Sequence, residues 1–328
     1  MRRKLTLKGV LGLLKKSFAG FSDNKVLKLS GALAYFTVFS IGPMLIIIIF
    51  FADIFYGREA IEGSVYGQIR SFVGADAAAQ IQQIIKNASL SGKSTITAVV
   101  GFITLLIGAT GVFAEIQDSI NAIWNLKAKP KRGWLKILIN RLLSFSVVIS
   151  LGFILLVSLV LNGLIEGLMD RLQTRFPGMT VVAVYIVNLV FTFAVITCLF
   201  AIIFKVLPDA IIRWKDVMIG AMTTAILFMI GKFGITFYIG NSNVGSAYGA
   251  AGSLVVLLLW VYYSSVILYF GAEFTKAYAA GYGSPIHPNQ YAVWVRNVEV
   301  EEENGTLRQL EKKKKDENEQ TGDNIKVT

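Results

Sequence analysis

Met44-Leu45-Ile46-Ile47-Ile48-Ile49-Phe50-Phe51 lies inside an apolar stretch running from about Leu29 to Tyr56, and its reading decides the fold. Taken alone, the β-branched run Ile46–Ile49 suits a buried strand. The length of the surrounding block and its lack of period-two alternation argue instead for a helix across the hydrocarbon layer, which takes about 20 mostly apolar residues. Five further stretches share that character: about Ile96 to Trp124, Leu142 to Ile165, Val181 to Leu207, Val217 to Ile239 and Ser253 to Tyr278. All six are apolar all round, unlike the one-sided helices of a soluble core. The expected fold is all-α: a polytopic membrane protein with six transmembrane helices.

Composition agrees. Of 328 residues, 54% are hydrophobic and 16% charged, against roughly a quarter charged in soluble domains. That excludes a disordered chain, a secreted disulfide scaffold and an ordinary cytosolic enzyme. The single cysteine, Cys198, leaves no intramolecular disulfide or Cys cluster, and the single histidine, His287, makes a His-rich metal site unexpected. No cofactor and no metal are expected.

The net charge of +11 matters less than where the basic residues fall. Arg2, Arg3, Lys4, Lys8, Lys15, Lys16, Lys25 and Lys28 precede or open span one. Lys127, Lys129, Lys131, Arg132, Lys136 and Arg141 join spans two and three, and Lys205, Arg213 and Lys215 join spans four and five. The other side holds Arg58, Arg70, Lys86, Lys93, Arg171 and Arg175, so the balance is 17 to 6. The positive-inside rule then puts both termini in the cytoplasm, N-in and C-in, with the chain multi-pass in a bacterial inner (plasma) membrane.

Three parts follow. Residues 1–24 form a basic N-terminal arm in which Leu7, Val10, Leu11, Leu14, Phe18 and Phe21 recur at helical spacing. Lysines interrupt any apolar core before Ser17-Phe18-Ala19, so the arm does not read as a cleaved signal peptide. It reads either as an amphipathic helix on the inner leaflet, its lysines against anionic lipid head groups, or as a helix packed on the protein's own cytoplasmic face. Residues 25–280 form the six-helix domain. Its outer-side loop, about 57–93, carries a short amphipathic pattern at Ala77, Ile81, Ile84 and Ile85. Residues 281–328 form a charged cytoplasmic tail, expected to be largely disordered and changing composition sharply after about Val298.

Charges within spans are costly and default to functional candidates. Glu115 and Asp118 are three apart near the end of span two, and Asn121 continues that helix face. Glu273 reaches a similar level on span six. With Tyr35 of span one, these residues make a candidate polar cavity for a cation, a proton or a basic group. The competing reading pairs the acids with the basic loop Lys127 to Arg141. On the outer side, Asp53 of span one and Lys232 of span five are a candidate intramembrane ion pair, and Pro43 should kink span one. Several small residues, Gly220 and Gly231 among them, suit close helix packing.

No H-E-x-x-H, Walker or G-x-S-x-G pattern occurs, so no catalytic residue is assigned and the chain does not read as an enzyme.

The segment Ala32-Leu33-Ala34-Tyr35-Phe36-Thr37-Val38-Phe39-Ser40-Ile41-Gly42-Pro43 resembles the opening signature of the YihY/BrkB family of bacterial inner-membrane proteins. So does Phe113-Ala114-Glu115-Ile116-Gln117-Asp118-Ser119-Ile120-Asn121-Ala122-Ile123-Trp124. Leu207-Pro208-Asp209 with Arg213-Trp214-Lys215-Asp216-Val217 resembles the family's link into span five, and Leu257-Leu258-Leu259-Trp260-Val261-Tyr262-Tyr263 with Gly271-Ala272-Glu273 its last span. The resemblance covers about residues 25 to 280 and implies a six-helix inner-membrane fold. Members have been called ribonuclease BN and virulence or serum-resistance factors. The nuclease label suits these residues poorly, because the clustered acids lie in membrane spans and topology accounts for the basic loops; nucleic acid is not an expected partner. The remaining expectations are a transporter or flippase for a small solute, ion or envelope lipid, and a non-transporting envelope-integrity scaffold. Membrane lipids are the expected partners, and the oligomeric state is not fixed by the sequence.

Overall fold

The computed structural model describes residues 6–40, 79, 111–129, 180–242, 248 and 252–295. Most of them are helical. Helix α1 spans Leu7–Asp23, α2 Val26–Ser40, α3 residues 111–123, α4 Thr180–Val206, α5 Trp214–Asn241 and α6 Gly252–Gly281. Three segments within α4, α5 and α6, at Ile186–Val206, Trp214–Ile239 and Leu254–Gly281, are long and apolar enough to cross a membrane. They coincide with the last three expected spans. Helix α2 overlaps the start of the first and α3 falls within the second, while the third span, the outer loop apart from residue 79, Pro43, Asp53 and the tail beyond residue 295 lie outside the described residues.

Local chemistry sets the helix ends. Thr6 Oγ1 accepts from the Gly9 N–H at 3.2 Å and caps α1. The chain leaves α1 through Asn24 and through Lys25 in a left-handed conformation (φ 52°), then starts α2 at once. Helix α3 stops the same way at Asn125 (φ 57°), a residue type that tolerates this region. At the start of α5, Asp216 places a carboxylate in the first turn, where the helix dipole favours it, and accepts from the Ser284 N–H at 3.0 Å. At the end of α4, Lys205 Nζ donates to the Ile212 carbonyl and lies 5.7 Å from the Trp214 ring centroid.

Helices α5 and α6 run antiparallel through a reciprocal motif. Gly220 faces Thr275, and Gly271 faces Thr224; a Cβ at either glycine would overlap the opposing threonine hydroxyl. Each threonine hydroxyl donates to the glycine carbonyl one turn earlier on its own helix, at 2.7 Å. That removes the hydroxyl's need for another partner and lets the backbones close up. Helix α3 runs parallel to α6, with Trp124 fully buried and its Nε1 donating to the Ala272 carbonyl at 3.0 Å.

Four short strands gather at one end of the bundle. β1 (Leu126–Ala128) pairs antiparallel with β4 (Ala292–Trp294), and β2 (Ala210–Ile211) with β3 (His287–Pro288). The segment after α6 therefore ties down both the link following α3 and the link between α4 and α5. The expected boundary at 280/281 falls inside this ordered structure. The compact unit runs from Met1 to Trp294, close to the compositional break near Val298, and Val295–Thr328 form a second unit.

Candidate functional site

The polar groups of the bundle collect beside the strands. Glu273 on α6 is 3% exposed. Its Oε1 accepts a hydrogen bond from Asn24 Nδ2 at 2.5 Å. Helix α1 comes this close because Gly20 has no side chain: a Cβ there would stand 2.5 Å from Glu273 Oε2. Asp23 and Lys276 are the charged neighbours of Glu273. Lys276 Nζ donates to the Ile123 carbonyl near the end of α3, where the dipole favours a cation.

On α3, Ser119 Oγ donates to Glu115 Oε1 at 3.1 Å. Across from them on α6 stands Tyr269, fully buried, with its hydroxyl beside Ser119 and Glu115. Tyr269 and Glu273 are one turn apart on α6, and Glu115 and Ser119 one turn apart on α3, so the two parallel helices present a polar ladder to each other.

Asn121 belongs to a separate network. It is 3% exposed and binds Asp209 twice: its Nδ2 donates to Oδ2 at 3.0 Å, and its Oδ1 accepts from the Asp209 N–H at 2.9 Å. Asn289 completes the arrangement, its N–H donating to the Asp209 carbonyl at 3.0 Å. Thus the buried Asp209 fastens α3, the α4–α5 link and the segment after α6.

The structure brings together only part of the expected cavity. Glu115 lies beside Ser119 and Tyr269, whereas Glu273 turns to Asn24 and Gly20 at the end of α1. Asp118 is exposed, Asn121 is engaged with Asp209, and Tyr35 is exposed on α2 with its ring against Phe36 and Phe39. The basic-loop pairing also differs in part, because Glu273 is held by Asn24 of the arm, while Lys127 and Lys129 are exposed. The Asp53–Lys232 pair lies outside the described residues through Asp53, as does the Pro43 kink. Among the described residues, no group of three His, Cys, Asp or Glu could hold a metal ion. Sequence reasoning missed Asn24, Ser119 and Tyr269 as site residues. Asn24 had one signal, an amide immediately after the amphipathic arm; Ser119 and Tyr269 fall at i+4 and i−4 from the two acids.

The chain matches a known protein family over most of its length. Residues 17–291 match the family described as virulence factor BrkB. A UPF0761 membrane protein of Tolumonas auensis is 26% identical over 253 residues, covering 75% of this chain and 78% of that protein. A UPF0761 membrane protein of Pseudoalteromonas atlantica is 24% identical over 252 residues, 75% and 79% of the two chains. One from Xanthomonas axonopodis pv. citri is 27% identical over 263 residues, 79% of this chain and 59% of that one. No solved structure matches. With a family match spanning most of its length and apolar helices long enough to cross a bilayer, the chain belongs to the BrkB family of membrane proteins.

Proposed function

We propose that this chain is a six-span, multi-pass protein of a bacterial inner membrane, with both termini in the cytoplasm, that moves a small solute, ion or envelope lipid. The observation that carries the reading is Glu273. A carboxylate 3% exposed, in a membrane-length helix, is held by a neutral amide. Such groups are expensive in a bilayer and are characteristically functional. The arm, α3 and the segment after α6 meet at one end of the bundle, which supports placing both termini on the same side. The basic-residue balance makes that side the cytoplasm.

The protein acts without catalysing a covalent reaction, and without nucleic acid. A tRNA-cleaving centre needs acids in a water-filled groove, whereas Glu115 accepts from Ser119 on its own helix and the buried Glu273 accepts from Asn24. Helix α1 contributes the lipid contact: Lys8, Lys15 and Lys16 are exposed beside Leu11 and Phe18, a pattern suited to anionic head groups at the membrane surface.

The test is transport by purified protein in proteoliposomes, read as scrambling of labelled phospholipid and as flux of small cations and solutes. Movement that Glu273→Gln abolishes supports the reading. A protein that moves nothing while restoring envelope integrity to deletion cells is a scaffold, and that result rejects it.

A further inference from the structure

Thr197 Oγ1, Trp260 Nε1 and Tyr263 Oη are buried and find no hydrogen-bond partner among the described residues. Nearby hydroxyls behave differently. Thr224, Ser264, Ser265 and Thr275 each donate to the carbonyl four residues earlier on their own helix, at 2.7–2.9 Å. Thr197, 5% exposed on α4, makes no such bond. The three groups flank one aromatic seam. Phe228 of α5 meets Phe200 of α4 at 5.9 Å between ring centroids, and Trp260 of α6 at 5.8 Å. Thr197 lies three residues before Phe200, Tyr263 three after Trp260 and Gly231 three after Phe228, so each shares its neighbour's helix face. The Tyr263 hydroxyl stands where a Cβ on Gly231 would be. Glycine at 231 thus lets the seam shut with a phenol against the α5 backbone. Tyr263 lies ten residues before Glu273 on α6, about 15 Å along the helix axis and farther from the strands.

We propose that the seam between α4, α5 and α6 is a closed gate on the side of Glu273 away from the strands, and that Thr197, Trp260 and Tyr263 line the passage when it opens. Packing alone does not account for these groups. Valine at 197 and phenylalanine at 263 would fill nearly the same space without stranding a polar atom, and a stranded atom is costly. Hydrocarbon offers no water to relieve it. In the opened seam, water or the polar part of a solute pairs all three groups, so opening offsets a penalty that the closed state carries. The lining also indicates the class of solute. The Trp260 indole can only donate, and both hydroxyls can donate as well, so the passage suits a solute or head group that presents acceptor oxygens. The inference rests on the transport reading, to which it adds the position of the constriction.

The experiment uses the full chain in lipid nanodiscs and proteoliposomes. Hydroxyl-radical labelling read by mass spectrometry reports the access of water to each side chain, and flux is read with labelled phospholipid, rubidium and phosphate. Gly231→Ala displaces the Tyr263 hydroxyl from its seat. It should raise the oxidation of Trp260 and Tyr263 above wild type while leaving the exposed Phe233 and Met222 of α5 unchanged. Thr197→Val and Tyr263→Phe keep the packing and remove a stranded hydroxyl. Each should leave the thermal midpoint equal to or above that of the wild type, yet slow flux about tenfold. These two variants decide the matter if Gly231→Ala does not fold. Oxidation of Trp260 and Tyr263 that Gly231→Ala leaves unchanged overturns the gate. So does a lowered midpoint in Thr197→Val and Tyr263→Phe, which would make the hydroxyls structural. The expected oxidation and midpoints without flux of any probe would leave the opening seam standing and sink the transport reading. Flux that Thr197→Val and Tyr263→Phe leave unchanged would sink the gate and keep that reading.

Discussion

Replacing Asn24 by alanine isolates the contact on which the polar site depends. Asn24 Nδ2 donates to Glu273 Oε1 at 2.5 Å, and Glu273 is 3% exposed. A hydrogen bond to a charged group contributes about 1.5–3 kcal/mol, and removing the donor leaves the buried carboxylate with only the charge of Lys276 nearby to offset its desolvation. Asn24→Ala should therefore destabilise the protein by about 2 kcal/mol. Glu273→Gln should cost far less, because the amide carbonyl still accepts from Asn24 and the charge that required stabilising is gone. Neutral pairs are roughly half as strong as charged ones, but a neutral side chain is also cheaper to bury. In the double variant the Asn24 effect should shrink, giving a coupling of about 1 kcal/mol or more. Unfolding in mixed detergent and SDS micelles, followed by tryptophan fluorescence, measures all four corners of the cycle. Trp124 is a suitable reporter because its indole bonds the Ala272 carbonyl, next to Glu273. Additive effects, or an Asn24→Ala protein within about 0.5 kcal/mol of wild type, would refute the claim that the arm holds this carboxylate.

Gly220→Val and Gly271→Val should each force α5 and α6 apart, because the added carbons overlap Thr275 and Thr224. Overpacking of this kind costs about 1–3 kcal/mol, read in the same micelle titration, and a neutral result would reject the reciprocal motif. Trp124→Phe removes the indole donor and leaves space at a fully buried position, so it should cost at least about 1 kcal/mol; equal stability would reject a structural role for the indole. Reporter fusions within Lys127–Lys136 and after Val298 should register as cytoplasmic, and those near Ala77 as external. A cytoplasmic signal near Ala77 would reject the six-span topology.

Helix length and position were legible because hydrocarbon thickness imposes them. The expected spans at Val181 to Leu207, Val217 to Ile239 and Ser253 to Tyr278 lie within a few residues of α4, α5 and α6. The site was legible only in its charges. Glu115 and Glu273 stand out in apolar sequence, whereas Asn24, Ser119 and Tyr269 matter through neighbours 249, 4 and about 150 positions away. Helical spacing reports the Ser119–Glu115 pair, but no local periodicity reports the two distant ones. Nor does spacing fix the environment of a residue: Glu115 and Asp118 are three apart, yet one is half-buried in the ladder and the other exposed. The segment 282–294 misled for a related reason. It follows the last apolar span and carries no long apolar run, but its backbone finds partners in β1 and β2, supplied by two loops distant in sequence.

The N-terminal arm shows why its two sequence readings need not compete. Leu13 and Ser17 are buried, and Leu13 packs with Phe274 and Tyr278 of α6. With Gly20 against Glu273, they mark the face that α1 turns to the bundle. Leu11 and Phe18 lie roughly a third of a turn around the helix from that face and are 62% and 63% exposed. Lys8 and Lys15 continue the same rotation beyond them, and both are exposed. One helix thus carries a protein-facing stripe, a largely exposed apolar stripe whose Phe18 ring still meets Phe270 of α6 at 4.9 Å, and a basic edge in angular order. That order is what a helix lying at the membrane surface and seated on its own protein requires. Because Asn24 follows the last turn of this helix and donates to Glu273, displacement of α1 along the surface must be felt at the buried carboxylate. The arm is therefore a wall of the polar site.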